Sequence, residues 1–133
     1  MRHSLFILLY LTLFAISCRK TNPAFIITDG TYVGTFQRLT LNGGQISNVT
    51  ITFSANNWTG QSQFSKYPAL CSGTYKTTGA NKVTFENACP WTAEFDWTLI
   101  LSQDYEIKLV GNKLEITREY SGGYTDIYNL TKQ

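Results

Sequence analysis

Glu94 and Asp96 are the two residues of this chain whose types and spacing come closest to a catalytic pair. They lie two positions apart in a segment that alternates as a strand does, so their side chains would share one face. Glycosidases use two carboxylates of this kind as acid, base or nucleophile, and Glu86 is near in sequence. The other interpretation is a solvent-facing charged side opposite Phe95 and Trp97, and the apolar alternation favours it.

The sequence offers little for other kinds of catalysis. Its only histidine is His3, which leaves the rest of the chain without a Ser-His-Asp triad, a Cys-His pair or histidine metal ligands. The Gly-rich stretches 42–44 and 121–123 lack the Lys-Ser/Thr and the helix of a phosphate-binding loop. No segment has the closely spaced oxygen ligands of a calcium loop. We therefore predict a protein that is not an enzyme, with no catalytic residue, metal site or cofactor.

The N-terminus has the pattern of an exported protein. Arg2 precedes a mainly apolar run from Leu5 to Ile16. A membrane-spanning helix needs about 20 such residues, so this shorter run matches the central region of a secretion signal instead. Residues 15–18 (AISC) then resemble the lipobox of bacterial lipoproteins, in which the cysteine, here Cys18, carries the lipid and becomes the new N-terminus.

The lipobox resemblance implies how the chain is divided and where it resides. Residues 1–17 would be the signal peptide, 18–28 the lipid anchor and tether, and 29–133 the folded domain. The protein would be anchored in the cell envelope through its lipid, in the outer membrane, and the basic pair Arg19-Lys20 favours the periplasmic face. The alternative is an ordinary signal peptide cleaved near Ser17, with Cys18 a free thiol.

Three cysteines are an odd number for an exported protein. Lipidation of Cys18 would leave Cys71 and Cys89, which can form a disulfide in an oxidising periplasm. Both lie at segment edges, beside Ser72-Gly73 and beside Pro90, which favours the disulfide. The alternative is a pair of buried free thiols.

Length and charge exclude some classes of protein. Without the signal, 116 residues remain, enough for one domain. Of the eleven basic residues Arg2 is lost, and ten basic against nine acidic residues give a mature net charge of +1. Because no Lys/Arg cluster is longer than two residues, we expect no nucleic-acid partner.

The mature chain has the alternation of short antiparallel strands. Strands are predicted at residues 30–38, 48–54, 58–64, 72–77, 82–86, 95–101, 105–109, 113–117 and 124–130. Gly- and Asn-rich turns separate most of them, and such short gaps require antiparallel neighbours. Eight or nine strands of this kind predict an all-β fold, an antiparallel up-and-down barrel, with a β-sandwich as the alternative. Residues 65–70 are predicted to form one helical turn.

Several of these strands resemble those of small lipocalin-like lipoproteins from Bacteroidetes-type bacteria. The similar segments are 30–36 (GTYVGTF), 72–75 (SGTY), 81–85 (NKVTF), 111–116 (GNKLEI) and 128–133 (YNLTKQ). The resemblance implies a lipocalin-like barrel over residues 29–133. Lipocalins carry a Gly-x-Trp near the start of the barrel, and here Tyr32 takes the place of the Trp. Arg118 is the candidate for the arginine that packs across it.

Sixteen of the 116 mature residues are aromatic. They predict either a barrel interior lined for an apolar ligand or a filled core. Trp58 and Trp91 fall in less regular segments, so we expect them at the rim as candidate ligand-binding residues. We predict a non-catalytic binding module for a small apolar ligand, or alternatively a solid barrel that acts as a structural or protein-interaction lipoprotein, such as an inhibitor or an envelope assembly factor.

Overall fold

The structure, a computed structural model, describes residues 25–92 and 94–133. The predicted signal peptide and Cys18 lie outside these residues. Eight antiparallel strands form a closed up-and-down barrel, which confirms the predicted barrel rather than the sandwich. The strands are β1 Gly30–Leu39, β2 Ile46–Ser54, β3 Asn57–Ser62, β4 Ser72–Thr78, β5 Lys82–Asn87, β6 Gln103–Val110, β7 Lys113–Tyr120 and β8 Tyr124–Lys132. No helix among the described residues is long and apolar enough to cross a membrane.

Hairpin pairing runs around the barrel, and β1 closes it against β8, with Tyr32 opposite Lys132 and Leu39 opposite Thr125. The connections differ between the two ends. One end, here called the tether end, has short turns and the incoming chain, at residues 25–29, 55–56, 79–81 and 111–112. The opposite end, here called the capped end, has the connections 40–45, 63–71, 88–102 and 121–123.

The two longest connections cross the capped end and are joined to each other. The predicted disulfide between Cys71 and Cys89 is confirmed, with Cα atoms 6.3 Å apart. The Ala69 amide donates to the Leu99 carbonyl at 2.9 Å, and the Leu101 amide donates to the Ala69 carbonyl at 3.3 Å. A cross-link over 18 positions restricts the unfolded chain by about 3 kcal/mol in the entropy account. We call residues 88–102 the cap segment.

Aromatic rings fill the interior of the barrel. Phe85 lies at its centre, with ring centroids 6.1 Å from Trp58 and 5.7 Å from Tyr105. Nearer the capped end, Phe36 packs against Tyr128 at 4.8 Å. All five side chains are almost fully buried. Of the two interpretations of the aromatic content, this packing favours the filled core.

Trp58 lies in this core, whereas the sequence predicted a position at the rim. Its side chain is 1 % exposed, and its indole Nε1 donates to the Glu86 carbonyl at 3.3 Å. Small inward neighbours make room for it, since a Cβ on Gly73 would lie 2.9 Å from that Nε1. The polar residues of β3 face outward from a closed barrel, so they do not place Trp58 at the rim.

The predicted strand at residues 95–101 is wrong. This part of the cap segment forms a 3-10 turn at Trp97–Leu99. Asp96 precedes the turn, and its carboxylate accepts from the Thr98 amide at 2.9 Å and from the Thr98 hydroxyl at 2.6 Å. Such local side-chain bonds offer the backbone an alternative to a strand ladder.

Residues 65–70 form no helical turn. A tight turn occurs there instead, in which the Tyr67 amide donates to the Phe64 carbonyl at 3.1 Å. Lys66 has a φ of 64°, and Pro68 disfavours a helical conformation at the residue before it. The two segments that depart from prediction are therefore both parts of the connections across the capped end.

Candidate functional site at the capped end

A buried ion pair lies inside the barrel at the capped end. Arg38 on β1 and Asp126 on β8 are register partners, and both side chains point inward. Arg38 Nε donates to Asp126 Oδ1 at 2.6 Å and Nη2 donates to Oδ2 at 2.7 Å. Burial lowers the pKa of Arg38, but the hydrogen bond and charge of Asp126 outweigh it and raise that pKa above its ordinary value. The guanidinium therefore stays charged and is fixed in orientation.

The cap segment binds the outer edge of the same guanidinium. Arg38 Nη1 donates to Asp96 Oδ2 at 2.7 Å and to the Thr98 hydroxyl at 2.9 Å, while Nη2 also donates to the Thr98 carbonyl at 3.1 Å. The Asp96 side chain remains 52 % exposed. Hydrogen bonds from the Thr98 hydroxyl and amide, together with Arg38, lower the pKa of Asp96.

Two stacked tyrosines form one wall of this cluster. The rings of Tyr120 and Tyr124 stack with centroids 4.5 Å apart, and the guanidinium carbon of Arg38 lies 4.6 Å from the Tyr124 centroid. The Tyr120 hydroxyl has two acceptors in reach, Asp126 Oδ2 at 3.0 Å and the Thr98 carbonyl at 3.1 Å. Burial and the charge of Asp126 raise the pKa of Tyr120 to about 12, so this hydroxyl remains a hydrogen-bond donor at neutral pH.

Strands β6 and β7 separate beside this wall. Their pairing ends at Glu106 opposite Thr117, although β6 begins at Gln103 and β7 continues to Tyr120. Arg118 spans the gap, donating to the Ser102 carbonyl at 3.1 Å and to Gln103 Oε1 at 2.7 Å. A surface hollow of about 390 Å³ opens there, lined by both strands and by Lys82.

Arg118 does not pack across Tyr32, the position that corresponds to the lipocalin tryptophan. Its guanidinium lies 4.7 Å from the Tyr120 centroid and 5.7 Å from that of Tyr105. Tyr32 lies near the start of β1, at the tether end of the barrel. There its ring contacts Phe53 and its hydroxyl donates to the Thr28 carbonyl. The candidate pairing suggested by the family resemblance is therefore absent between these two described residues.

The second tryptophan candidate, Trp91, does lie at the capped end. It is partly buried in the cap segment, contacts Phe95 at 5.7 Å between ring centroids, and donates from Nε1 to Asn87 Oδ1. Phe95 continues to Trp97 at 6.5 Å, and Lys66 Nζ lies 5.0 Å from the Phe95 centroid. These three rings form an aromatic shelf on the cap; ligand binding by Trp91 stays a prediction.

The two carboxylates considered for catalysis have different surroundings. Glu94 is exposed, whereas Asp96 is bound to Arg38 and to Thr98. Glu86 lies on β5 and accepts from the Thr74 hydroxyl at 3.3 Å. Asp96 is thus engaged in holding the cap in place, and it was predicted only as a solvated charge or a catalytic group.

Most of the large apolar side chains that remain exposed gather at the capped end. We call this set the apolar rim: Leu39, Leu41, Ile46, Phe64 and Trp97. Leu41, at the tip of the β1–β2 connection, is 99 % exposed. At the tether end the described residues expose only Ile26 and Val110 in the same way. The uneven distribution distinguishes the two ends of the barrel.

The sequence contains a signal for the buried ion pair. Arg38 falls on the same alternation as Tyr32 and Phe36, and Asp126 falls on that of Tyr128. A charged residue at an inward position requires a buried partner. Reading the inward positions of the first and last strands together would have pointed to this pair.

The chain matches no known family model, no curated protein and no solved structure. Its capped end is therefore interpreted from its own residues. The resemblance to lipocalin-like lipoproteins stays a prediction.

Proposed function

We propose that this chain is a lipid-anchored protein of the bacterial cell envelope that acts as a non-catalytic protein-interaction module through the capped end of a solid barrel. The observation that carries the proposal is the gathering of the apolar rim at one end of a barrel whose interior is filled by its own side chains. Exposed apolar side chains concentrated on one face of a stable domain are typical of a surface that binds another protein.

The filled interior favours this role over that of a carrier of small apolar ligands. A carrier needs an enclosed apolar cavity of about 300 Å³ or more. The hollows found on the described residues lie on the outer walls, between β6 and β7, across β1–β3, and along β6–β8. The small-ligand role stays a prediction, and these open surface hollows give it little support.

The position of the incoming chain supports an outward-facing capped end. Ile27 is buried beneath the tether end, and the Phe25 amide donates to the Gly79 carbonyl at 3.1 Å. Six residues, 19–24, would join a lipidated Cys18 to Phe25, and the seven Cα–Cα steps between them span at most about 25 Å. The tether end would then face the membrane, which we propose is the outer membrane. The apolar rim would face a partner in the periplasm.

Site-specific photocrosslinking in the bacterium that produces the protein tests this role. A photoreactive amino acid replaces Leu41 at the capped end, and the matched control replaces Val110, which is 63 % exposed at the tether end. We expect a discrete crosslinked species from position 41 that is absent from position 110 and is lost in a Trp97→Ser background. Equal patterns from both positions, or no product from position 41, would contradict the proposal.

The lipid anchor is tested separately. We expect the mass of the mature N-terminal peptide to exceed that of its residues by a diacylglycerol and an acyl chain, and a Cys18→Ser variant to leave the membrane fraction. An unmodified Cys18 peptide would support cleavage by an ordinary signal peptidase. It would also contradict the proposed orientation of the barrel relative to the membrane.

A further inference from the structure

The cap segment is held to the barrel in an uneven manner. Its backbone hydrogen bonds to the rest of the described chain lie near its two ends, from the Ala88 amide to the Ser72 carbonyl and between Ala69 and residues 99–101. The disulfide at Cys89 strengthens the first of these. Between them, the connections are made through side chains: those of Arg38, Tyr120 and Lys66, and that of Asn87 on β5, which accepts from Trp91. The middle of the cap can therefore move while its ends stay attached.

Asp96 is the charged contact in this middle part. Its carboxylate binds Arg38 Nη1 at 2.7 Å while remaining 52 % exposed, whereas Asp126 on the other side of the same guanidinium is 1 % exposed. The Asp126 bond is thus a fixed part of the barrel, and the Asp96 bond lies at the boundary with solvent. Of the three guanidinium nitrogens, Asp126 binds Nε and Nη2, so the nitrogen that it leaves for another carboxylate is Nη1, which Asp96 binds.

Charge balance favours an anion at this position. The charged groups that contact Arg38 or the Tyr120 ring beside it are Asp126, Asp96 and Arg118, while Lys66 and Glu94 lie elsewhere on the connections of the capped end. The two ion pairs found in the described chain both involve Arg38. Without Asp96, two guanidinium groups would face one carboxylate. Arginine presents its donors in a planar fork that matches a carboxylate, and the stacked rings of Tyr120 and Tyr124 limit the hydration of that fork.

We propose that the capped end contains a carboxylate-binding site on the outer edge of Arg38, which Asp96 occupies in this structure and from which an external carboxylate displaces it. The wall of the site is Tyr120 and Tyr124, and the Asp126 pair holds the guanidinium in place. Displacing Asp96 moves the middle of the cap, together with Trp97 and the aromatic shelf. The site does not depend on the apolar rim or on a protein partner.

The carboxylate has two possible sources, a free small organic acid or the carboxyl group of a polypeptide. Both present the same two oxygens to Arg38. The probes are therefore sodium acetate and an N-acetylated tripeptide of alanine with a free C-terminal carboxylate, each compared with sodium chloride at the same ionic strength. The C-terminally amidated tripeptide is the control for contacts other than the carboxylate.

The experiment follows the Nε–Hε resonance of Arg38 by NMR in the mature chain with Cys18→Ser. In Asp96→Ala, we expect a saturable shift with acetate or the free tripeptide, at a midpoint about tenfold lower than in the unsubstituted chain, because the internal competitor is gone. Chloride and the amidated tripeptide should give no saturable shift. The matched control is Asp104→Ala, since Asp104 is also an exposed carboxylate bonded to a threonine hydroxyl, that of Thr84.

The outcomes separate the alternatives. Tighter binding of the tripeptide than of acetate would identify a polypeptide carboxylate as the natural ligand, and the reverse would identify a small acid. No saturable shift in Asp96→Ala, or the same midpoint in Asp104→Ala, would overturn the proposal. If Asp96→Ala does not fold, Asp96→Asn, which keeps the size of the side chain, is titrated in its place. If neither variant folds, Asp96 is indispensable to the cap and the proposal fails.

Discussion

Arg38 and Asp126 meet inside the barrel as register partners on β1 and β8, with Arg38 Nε 2.6 Å from Asp126 Oδ1 and Nη2 2.7 Å from Oδ2. The two strands come from the two ends of the folded domain, so the pair forms only when the barrel closes. A buried ion pair adds little net free energy beyond an apolar pair of the same shape, but loss of one partner leaves an unpaired buried charge.

This pair predicts a pattern of unfolding free energies. We expect Arg38→Met to destabilise the protein by about 3–5 kcal/mol, because Asp126 is left buried without its partner. The double variant Arg38→Met with Asp126→Leu should recover most of that loss, as both charges are removed together. Urea unfolding followed by far-ultraviolet circular dichroism gives both values. A single variant that loses less than about 1 kcal/mol would show that Asp126 is not dependent on Arg38.

Asp96 predicts a dependence of stability on acid pH. Its pKa is lowered in the folded protein, so its contribution is fully present above the ordinary pKa of an aspartate, about 3.9, and is lost as pH falls through the lower folded value. We expect the difference in unfolding free energy between the unsubstituted chain and Asp96→Asn to be constant at neutral pH and to shrink below about pH 4. A difference that does not change with pH would contradict the assignment.

The buried tyrosines predict alkaline unfolding. The pKa of Tyr120 is raised to about 12 by burial and by Asp126, and burial also raises the pKa values of Tyr75, Tyr105 and Tyr128. A tyrosine whose pKa is higher in the folded than in the unfolded protein stabilises the fold fully below its unfolded pKa, about 10. That stabilisation is lost as the pH rises toward the pKa of the folded protein.

We therefore expect the ultraviolet tyrosinate signal to rise in two stages. The second stage belongs to the tyrosines whose pKa values are raised, and it appears together with loss of the near-ultraviolet circular dichroism above about pH 10. Tyr120→Phe should reduce the amplitude of the second stage. A single titration of all tyrosines near pKa 10 in a protein that remains folded would contradict the packing of the interior.

The tryptophans predict two environments that fluorescence can separate. Trp58 is buried among core rings, while Trp97 is 54 % exposed on the cap. We expect Trp58→Phe to remove the blue-shifted emission that acrylamide does not quench, and to cost about 2 kcal/mol of stability. Trp97→Phe should instead remove red-shifted, quenchable emission with a change of no more than about 0.5 kcal/mol. Quenchable emission assigned to Trp58 would place it at the rim after all.

The strands were predictable because their signals are local. Alternation with period two and Gly- or Asn-rich turns occur within a few residues, and eight of the nine predicted strands start within two residues of the observed ones, for example those beginning at Gly30, Ser72 and Tyr124. The disulfide also followed from local evidence, the positions of Cys71 and Cys89 at segment edges. A barrel differs from a sandwich in that its first strand, β1, pairs with its last, β8. The alternation within each strand carries no information about which strands pair.

The capped end was not predictable in the same way. Residues 95–101 alternate as a strand does, but Asp96 turns back onto Thr98 and is held by Arg38, which is 58 positions away. Trp58 is expected at the rim because its segment is less regular, with the polar neighbours Asn57 and Thr59. In a closed barrel those neighbours face water. On the inner side of the same strand, Gly60 leaves room for Leu70, which belongs to the connection after β3. A Cβ on Gly60 would lie 3.2 Å from the Leu70 side chain.

Native mass spectrometry tests most directly whether the barrel is solid and acts through its surface. The secreted chain with Cys18→Ser is produced in a bacterial periplasm and weighed under native and denaturing conditions, with and without reductant. We predict the bare polypeptide mass under both conditions, and on reduction a gain in mass of two hydrogen atoms from the one disulfide. A stoichiometric adduct of a small apolar molecule that is present in the native spectrum and lost on denaturation would contradict a filled interior and restore the role of ligand carrier.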